Sequence, residues 1–176
     1  MKFENRYVTT VETSREYCKY ASRLCKIYRM ESIIIGLIFL IMLVVGVTER
    51  MGWNYIVVPI FGIAISIFLF RCDSWQGKRV YNKRVKLYGD DFPETVYKFE
   101  DRILLSERDV KAYYDYISIL EFREGEEYFF LMLDKENGLT IKKNSFTVGT
   151  AAEFKEYMTD KVDRNRYSLG MKPQKR

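Results

Sequence analysis

The chain has 176 residues, a formal net charge of +5 and no histidine. That length accommodates one modest domain with appendages rather than two full domains. The missing histidines remove the commonest general base and metal ligand. Three cysteines, Cys18, Cys25 and Cys72, have no CxxC spacing and define neither a disulfide framework nor a zinc site.

In chain order, residues 3–11 (FENRYVTTV) alternate and are rich in β-branched side chains, which predicts a strand. TSRE then places Thr13 three residues before Glu16, the spacing of a capping box that opens a helix. In that helix Tyr17, Tyr20, Ala21, Leu24, Ile27 and Tyr28 share one face, and Arg15, Lys19, Arg23 and Lys26 the other. Such a helix can lie on an anionic leaflet or pack its tyrosine face on a neighbouring domain. The sequence leaves both open, and residues 1–31 are taken as one N-terminal segment.

Two uncharged apolar runs follow, 32–48 and 51–70, of 17 and 20 residues. As helices they reach about 25 and 30 Å, against a bilayer core of about 30 Å. Neither carries a polar stripe at helical spacing, so residues 32–70 are expected to form a two-helix transmembrane hairpin. The first run begins some thirty residues into the chain with no small-residue cleavage site after it, unlike a cleaved leader. Between the runs, GVTERMGWN carries only Glu49 and Arg50. Lys19, Arg23, Lys26 and Arg29 precede the hairpin, and Arg71, Lys78, Arg79, Lys83, Arg84 and Lys86 follow it. Positive charge at both outer ends predicts a multi-pass protein of a cytoplasmic (inner) membrane with both termini cytoplasmic. Trp53, Tyr55 and Trp75, with Arg71, Lys78 and Arg79, are the expected interface anchors. Pro59 should kink the second span, and Gly62 with Ser66 is a small-xxx-small pair suited to close helix approach. No ionisable residue lies within either run, which argues against an ion or proton pathway.

Residues 71–92 read as a basic juxtamembrane neck. Its Lys and Arg side chains mark the inner side, and each can add about 1 kcal/mol of attraction to anionic lipid. From residue 93 the period changes to two: TVYKFED, RILLSER, VKAYYDY, SILEFRE, EYFFLML and LTIKK read as strands. Asn137-Gly138 marks a tight turn. Thr150 and Glu153 form another capping box, opening a helix whose buried stripe is Ala151, Phe154, Tyr157, Met158 and Val162. Residues 93–163 are therefore expected to be an α+β domain, an antiparallel sheet of five or six strands closed by one C-terminal helix. Residues 164–176, basic and without acids, read as a disordered tail.

YDYISILEFRE, EYFFLML and IKKNSFTVGTAAEFKEYM resemble segments of the YcxB-like family of bacterial membrane proteins. Tyr116, Ile119, Lys142, Lys143, Phe146 and Gly149 fall in the pattern positions, although Tyr116 stands where many relatives have Trp. The resemblance implies two spans near the N-terminus, a basic neck and a cytoplasmic domain similar to pleckstrin-homology-like folds. It implies an architecture and a location, and no catalytic residue.

Lys142, Lys143, Phe146 and Gly149 are the one candidate binding set. The lysines are cationic, and Gly149 before a helix start offers backbone N–H groups for an anion. The simpler reading is a strand end, a glycine turn and an ordinary cap. Residues 87–163 hold 18 acidic against 10 basic side chains, which opposes docking on an anionic leaflet and binding to nucleic acid. No Ser-His or Cys-His pair exists, and no phosphate- or dinucleotide-loop spacing. The sequence thus predicts a non-enzymatic membrane protein without cofactor or metal. Its acidic domain would bind a protein partner or a second copy; the alternative is a sensor holding a lipid or small molecule.

Overall fold

The computed structural model describes residues 2–89, 92–168 and 170. Strand β1 (Phe3–Val8) leads into α1 (Val11–Glu16), a π-helical segment at Tyr17–Ala21, and the helices α2 (Arg23–Thr48), α3 (Asn54–Phe70) and α4 (Cys72–Tyr88). Then come β2 (Glu94–Phe99), β3 (Ile103–Glu107), β4 (Val110–Tyr114), β5 (Glu121–Glu124), β6 (Tyr128–Met132), β7 (Gly138–Lys142), β8 (Phe146–Val148) and α5 (Ala151–Ser168). The fold is α+β and its strand pairings are antiparallel.

The expected single sheet of five or six strands is instead two sheets, one ordered β4-β3-β2-β1-β8 and one β5-β6-β7. Two strands account for the difference. β8 spans three residues, too few for alternation to register in the sequence. β1 lies inside the larger sheet between β2 and β8, so Phe3, Glu4, Asn5 and Tyr7 are all buried. Its register with β2 pairs Phe3 with Phe99 and Val8 with Glu94. The chain therefore leaves the sheet at Val8, forms four helices and returns at Val8's cross-strand partner. Asn5 ties the two sheets together: its Nδ2 donates to the Lys142 carbonyl at 2.7 Å. Buried Glu4 is held by Arg6 at 2.5 Å and Lys98 at 3.9 Å.

Helix α5 closes the core with the predicted stripe. Phe154, Met158 and Val162 are fully buried, with Ala151 and Tyr157 packed at their margin. The Phe154 ring meets Phe99 edge-on at 4.7 Å and Phe3 at 5.4 Å, geometries that favour aromatic pairs beyond the area they bury. The Thr150–Glu153 box is formed: Glu153 N donates to Thr150 Oγ1 at 3.3 Å, and Thr150 N to Glu153 Oε2 at 3.0 Å. The helix runs on to Ser168, because Asn165 Nδ2 and an Arg166 guanidinium nitrogen donate to the carbonyls of Tyr116 and Leu120. Residues 164–168 are thus helical rather than tail; 169 and 171–176 lie outside the described residues.

The N-terminal helix differs from expectation in two ways. Its cap is Thr10, whose Oγ1 accepts from Thr13 N at 3.3 Å while Thr13 Oγ1 accepts from Thr10 N at 3.1 Å. Glu16 is drawn away to accept from Glu127 N at 3.2 Å. The helix also does not run unbroken to Tyr28. It stops at Ser22 in an extended conformation (φ −69°, ψ 119°), and Ser22 Oγ caps α2 by accepting from Cys25 N. Tyr17, Tyr20 and Ala21 pack on Tyr128, Phe130 and Met132, so the tyrosine face lies on the smaller sheet. The side chain of Leu24 lies outside the described residues.

Helices α2 and α3 pack side by side at small residues. Ser66 Oγ donates to the Ser32 carbonyl at 2.5 Å. Gly36 faces Ser66, and a Cβ on Gly62 would run into the Phe39 ring. Among the described residues one helix, Cys25–Thr48, is by length and composition apolar enough to cross a membrane; its mean hydropathy is 2.7 and only 11% of that window is buried. Helix α3 alone has 17 residues and meets the same test only together with α4, across a 47° bend. The expected two-span hairpin is thus supported in its first helix, while the second is shorter and bent.

Candidate functional site

The set Lys142, Lys143, Phe146 and Gly149 converges on the seam between the sheets, and each member already has a structural task. Lys143 Nζ donates to Glu124 Oε1 at 2.8 Å and to the Gly125 carbonyl at 2.9 Å, and lies 5.0 Å from the Phe129 ring centroid. The Lys142 carbonyl receives Asn5. Phe146 packs on Phe154 at 5.1 Å and Phe3 at 6.4 Å. Gly149 has φ +78°, and a Cβ there would overlap the Phe3 ring, so the position requires glycine. The helix N-terminus beyond it is occupied by the Glu153 carboxylate. These residues close a seam and offer an incoming phosphate no unengaged cation except Lys142.

The residues expected to anchor the interface lie elsewhere. Trp53 and Tyr55 sit exposed at the start of α3, Arg71 is at the bend, and Trp75, Lys78 and Arg79 belong to α4. Helix α4 has two opposed faces. On one, Gly77 backs onto the Arg15 main chain, closely enough that a Cβ would come within 2.6 Å. On the same face an Arg84 guanidinium nitrogen donates to Thr9 Oγ1 at 2.9 Å, and another lies 3.7 Å from Glu107 Oε1. On the other face Trp75, Lys78, Arg79, Asn82, Lys83 and Lys86 follow each other at helical spacing and line an open groove of about 480 Å³. Arg79 lies over the Trp75 ring. Among the described residues Lys78, Lys83 and Lys86 have no carboxylate partner.

Where α4 meets the domain there is a polar cleft of about 170 Å³, lined by Tyr7, Thr9, Arg84, Tyr97, Glu107 and Thr140 among others. Tyr7 donates to the Thr140 carbonyl at 2.5 Å, and burial pushes its phenol well above the ordinary range. The volume is below the 300 Å³ or so at which small-molecule sites begin. In the sheet–helix core Phe99, Phe129, Phe154 and Met158 are buried together in one apolar cluster.

One assembly had no signal in the sequence. Cys18, Cys25 and Cys72, from three separate segments, pack together under Tyr28 as buried free thiols. Beside them Arg29 and Asp73 pair at 3.7 Å. The hydrogen bond with Cys25, and then burial, push the Cys18 thiol up and keep it protonated. Among the described residues no group of three or more Cys, Asp or Glu has an arrangement that could hold a metal ion. The cluster packs where α2 and α4 meet the π-helical segment. Only folding brings the three together, because their spacings match no local motif.

No family model, curated protein or solved structure matches the chain.

Proposed function

We propose that this is a YcxB-like, two-span protein of a bacterial cytoplasmic membrane, and that it works without catalysis, displaying an acidic inner domain to a protein partner. The observation that carries the reading is the pairing of Val8 with Glu94. Whatever side of a membrane holds β1 must also hold β2, because they are neighbours in one sheet. If α2 crosses, the chain must cross back through α3 before α4. Cleavage after α2 would also detach β1 from the interior of the sheet. The exposed apolar surface of α2 supports membrane insertion, since a soluble core helix would be covered. Basic residues at both inner ends favour the cytoplasmic side. The resemblance implies a sheet closed by a C-terminal helix, and the packing of α5 onto the core supports that reading.

The acidic balance of the domain favours a basic partner surface, either another protein or the basic C-terminal residues of a second copy. A lipid or small-molecule sensor is the weaker reading, since the cleft beside Tyr7 is about 170 Å³ and the core cluster is built of closely packed buried aromatics. The test is a single-cysteine scan of the full chain in intact cells, on a background lacking Cys18, Cys25 and Cys72. A cysteine at Gly52 should react with a membrane-impermeant maleimide, and one at Lys135 only after lysis. Equal protection or equal labelling of the two positions would sink the topology. Salt-sensitive association of the full chain in detergent tests the partner surface, and a salt-independent monomer without a crosslinked partner would count against it. The isolated segment 93–176 is unsuitable for that experiment, because it lacks β1.

A further inference from the structure

We infer that the outward stripe of α4 is a contact surface for anionic phospholipid, one that holds the acidic domain at a fixed attitude over the leaflet. The inference rests on the membrane reading above and adds a specific partner to it. The domain takes one face of α4 through Gly77 and Arg84. The opposite face presents Trp75, Lys78, Arg79, Asn82, Lys83 and Lys86 around one groove. Among the described residues no carboxylate faces Lys78, Lys83 or Lys86, so this face with its four cations is complementary to an anionic surface. A protein acid is one candidate, but position favours lipid. The stripe starts directly beyond the apolar end of α3, and its first member is a tryptophan, the side chain suited to the headgroup boundary.

The bend sets the distances. With α3 along the membrane normal, α4 departs at 47°, so each residue climbs about 1 Å from the interface. Trp75 then lies about 3 Å out, Lys78 and Arg79 about 6–7 Å, and Lys86 about 14 Å. The screening length is about 8 Å at physiological salt. Lys78 and Arg79 fall inside it and Lys86 outside, so the stripe is graded. Each cation close to the surface corresponds to roughly a fivefold preference for an anionic surface. The acidic domain is repelled by the same leaflet, so attraction at α4 and repulsion at the domain together define an orientation.

The test reconstitutes the full chain into vesicles of phosphatidylcholine, alone or with phosphatidylglycerol. Flotation is followed first, then competition of spin-labelled phosphatidylglycerol against phosphatidylcholine at the protein perimeter. The wild type should float with both vesicles and select phosphatidylglycerol by roughly fivefold or more at low salt. Lys78→Gln with Arg79→Gln should abolish most of that selectivity while flotation persists, and Lys86→Gln should leave it nearly intact. Failure to float with neutral vesicles would overturn the membrane reading and this inference together. Flotation without lipid selectivity would overturn only the inference. So would selectivity that survives the double substitution, that Lys86→Gln removes equally, or that a soluble acidic protein displaces.

Discussion

Ile41 and Ile141 are the same side chain in two opposite surroundings. Ile41, in the middle of α2, is 63% exposed, whereas Ile141, on β7, is fully buried. The helical hairpin turns its apolar atoms outward and its few polar contacts inward, as where Ser66 bonds Ser32. The domain does the reverse, burying Phe99, Phe129, Phe130 and Phe154. The hairpin helices also satisfy their backbones locally, while the domain depends on a strand pair separated by the entire hairpin. One region thus presents its apolar surface outward, and the other encloses its own.

The largest expected effect breaks the dependence between them. Deleting residues 2–8 removes β1 from between β2 and β8 and exposes the Phe3 side of Phe154. The domain should lose its cooperative urea transition, read by near-ultraviolet circular dichroism in detergent, while α2 and α3 keep their helical signal. Joining Val8 to Glu94 through a short turn, without the hairpin, should restore the larger sheet, because those residues are already partners. A cooperative transition that survives the deletion would mean that β1 only decorates the sheet.

A paired substitution sharpens the contrast in solvent. Ile141→Ala leaves a cavity beside Phe129 and should cost about 2–5 kcal/mol in urea titration. Ile41→Arg changes an exposed position, where a water-facing site would lose under about 0.5 kcal/mol. In a bilayer the same change should cost about 3 kcal/mol of insertion, read as a shift from the membrane to the soluble or degraded fraction. A neutral Ile41→Arg would place that face in water.

How much of this was legible in the sequence divides along the same line. Run length and charge flanks pointed to α2, and the Thr150–Glu153 box located the start of α5, because each signal is carried by neighbours in the chain. Period-two stretches located β2 to β7 for the same reason. The position of β1 depends on Val8 finding Glu94, which no local pattern records. The Thr13–Glu16 spacing misled because the neighbouring Thr10 competes for the same role and wins, freeing Glu16 to reach Glu127. The candidate lysines illustrate a further limit. Sequence can supply a cation, but it cannot reveal that Glu124, nineteen residues away from Lys143, already holds it.

That pair gives the smallest effect and a decisive reading of Lys143. Glu124 lies between Lys143 at 2.8 Å and Lys155 at 2.6 Å. The hydrogen bond from Lys143, then that from Lys155, hold its carboxyl below the ordinary 4.5. A carboxyl lowered in the folded state stabilises the fold above its unfolded value, and that contribution is lost as pH falls through the native one. The stabilisation is therefore complete at neutral pH, begins to be lost below about 4.5 and is gone only below the lowered native value. Because Glu124 is 37% exposed, solvent limits each pair to about 0.2–1 kcal/mol. Glu16 works with the opposite sign, since burial raises it, so the net acid slope mixes the two and only a difference between variants isolates Glu124. Glu124→Gln should lower stability at pH 7 by about 0.5–1 kcal/mol, and the difference from the wild type should shrink at pH 3.5, in urea titrations at both values. Equal stability at both pH values would mean that Lys143 is not engaged by Glu124, and would return it to the set of cations free to meet an anion.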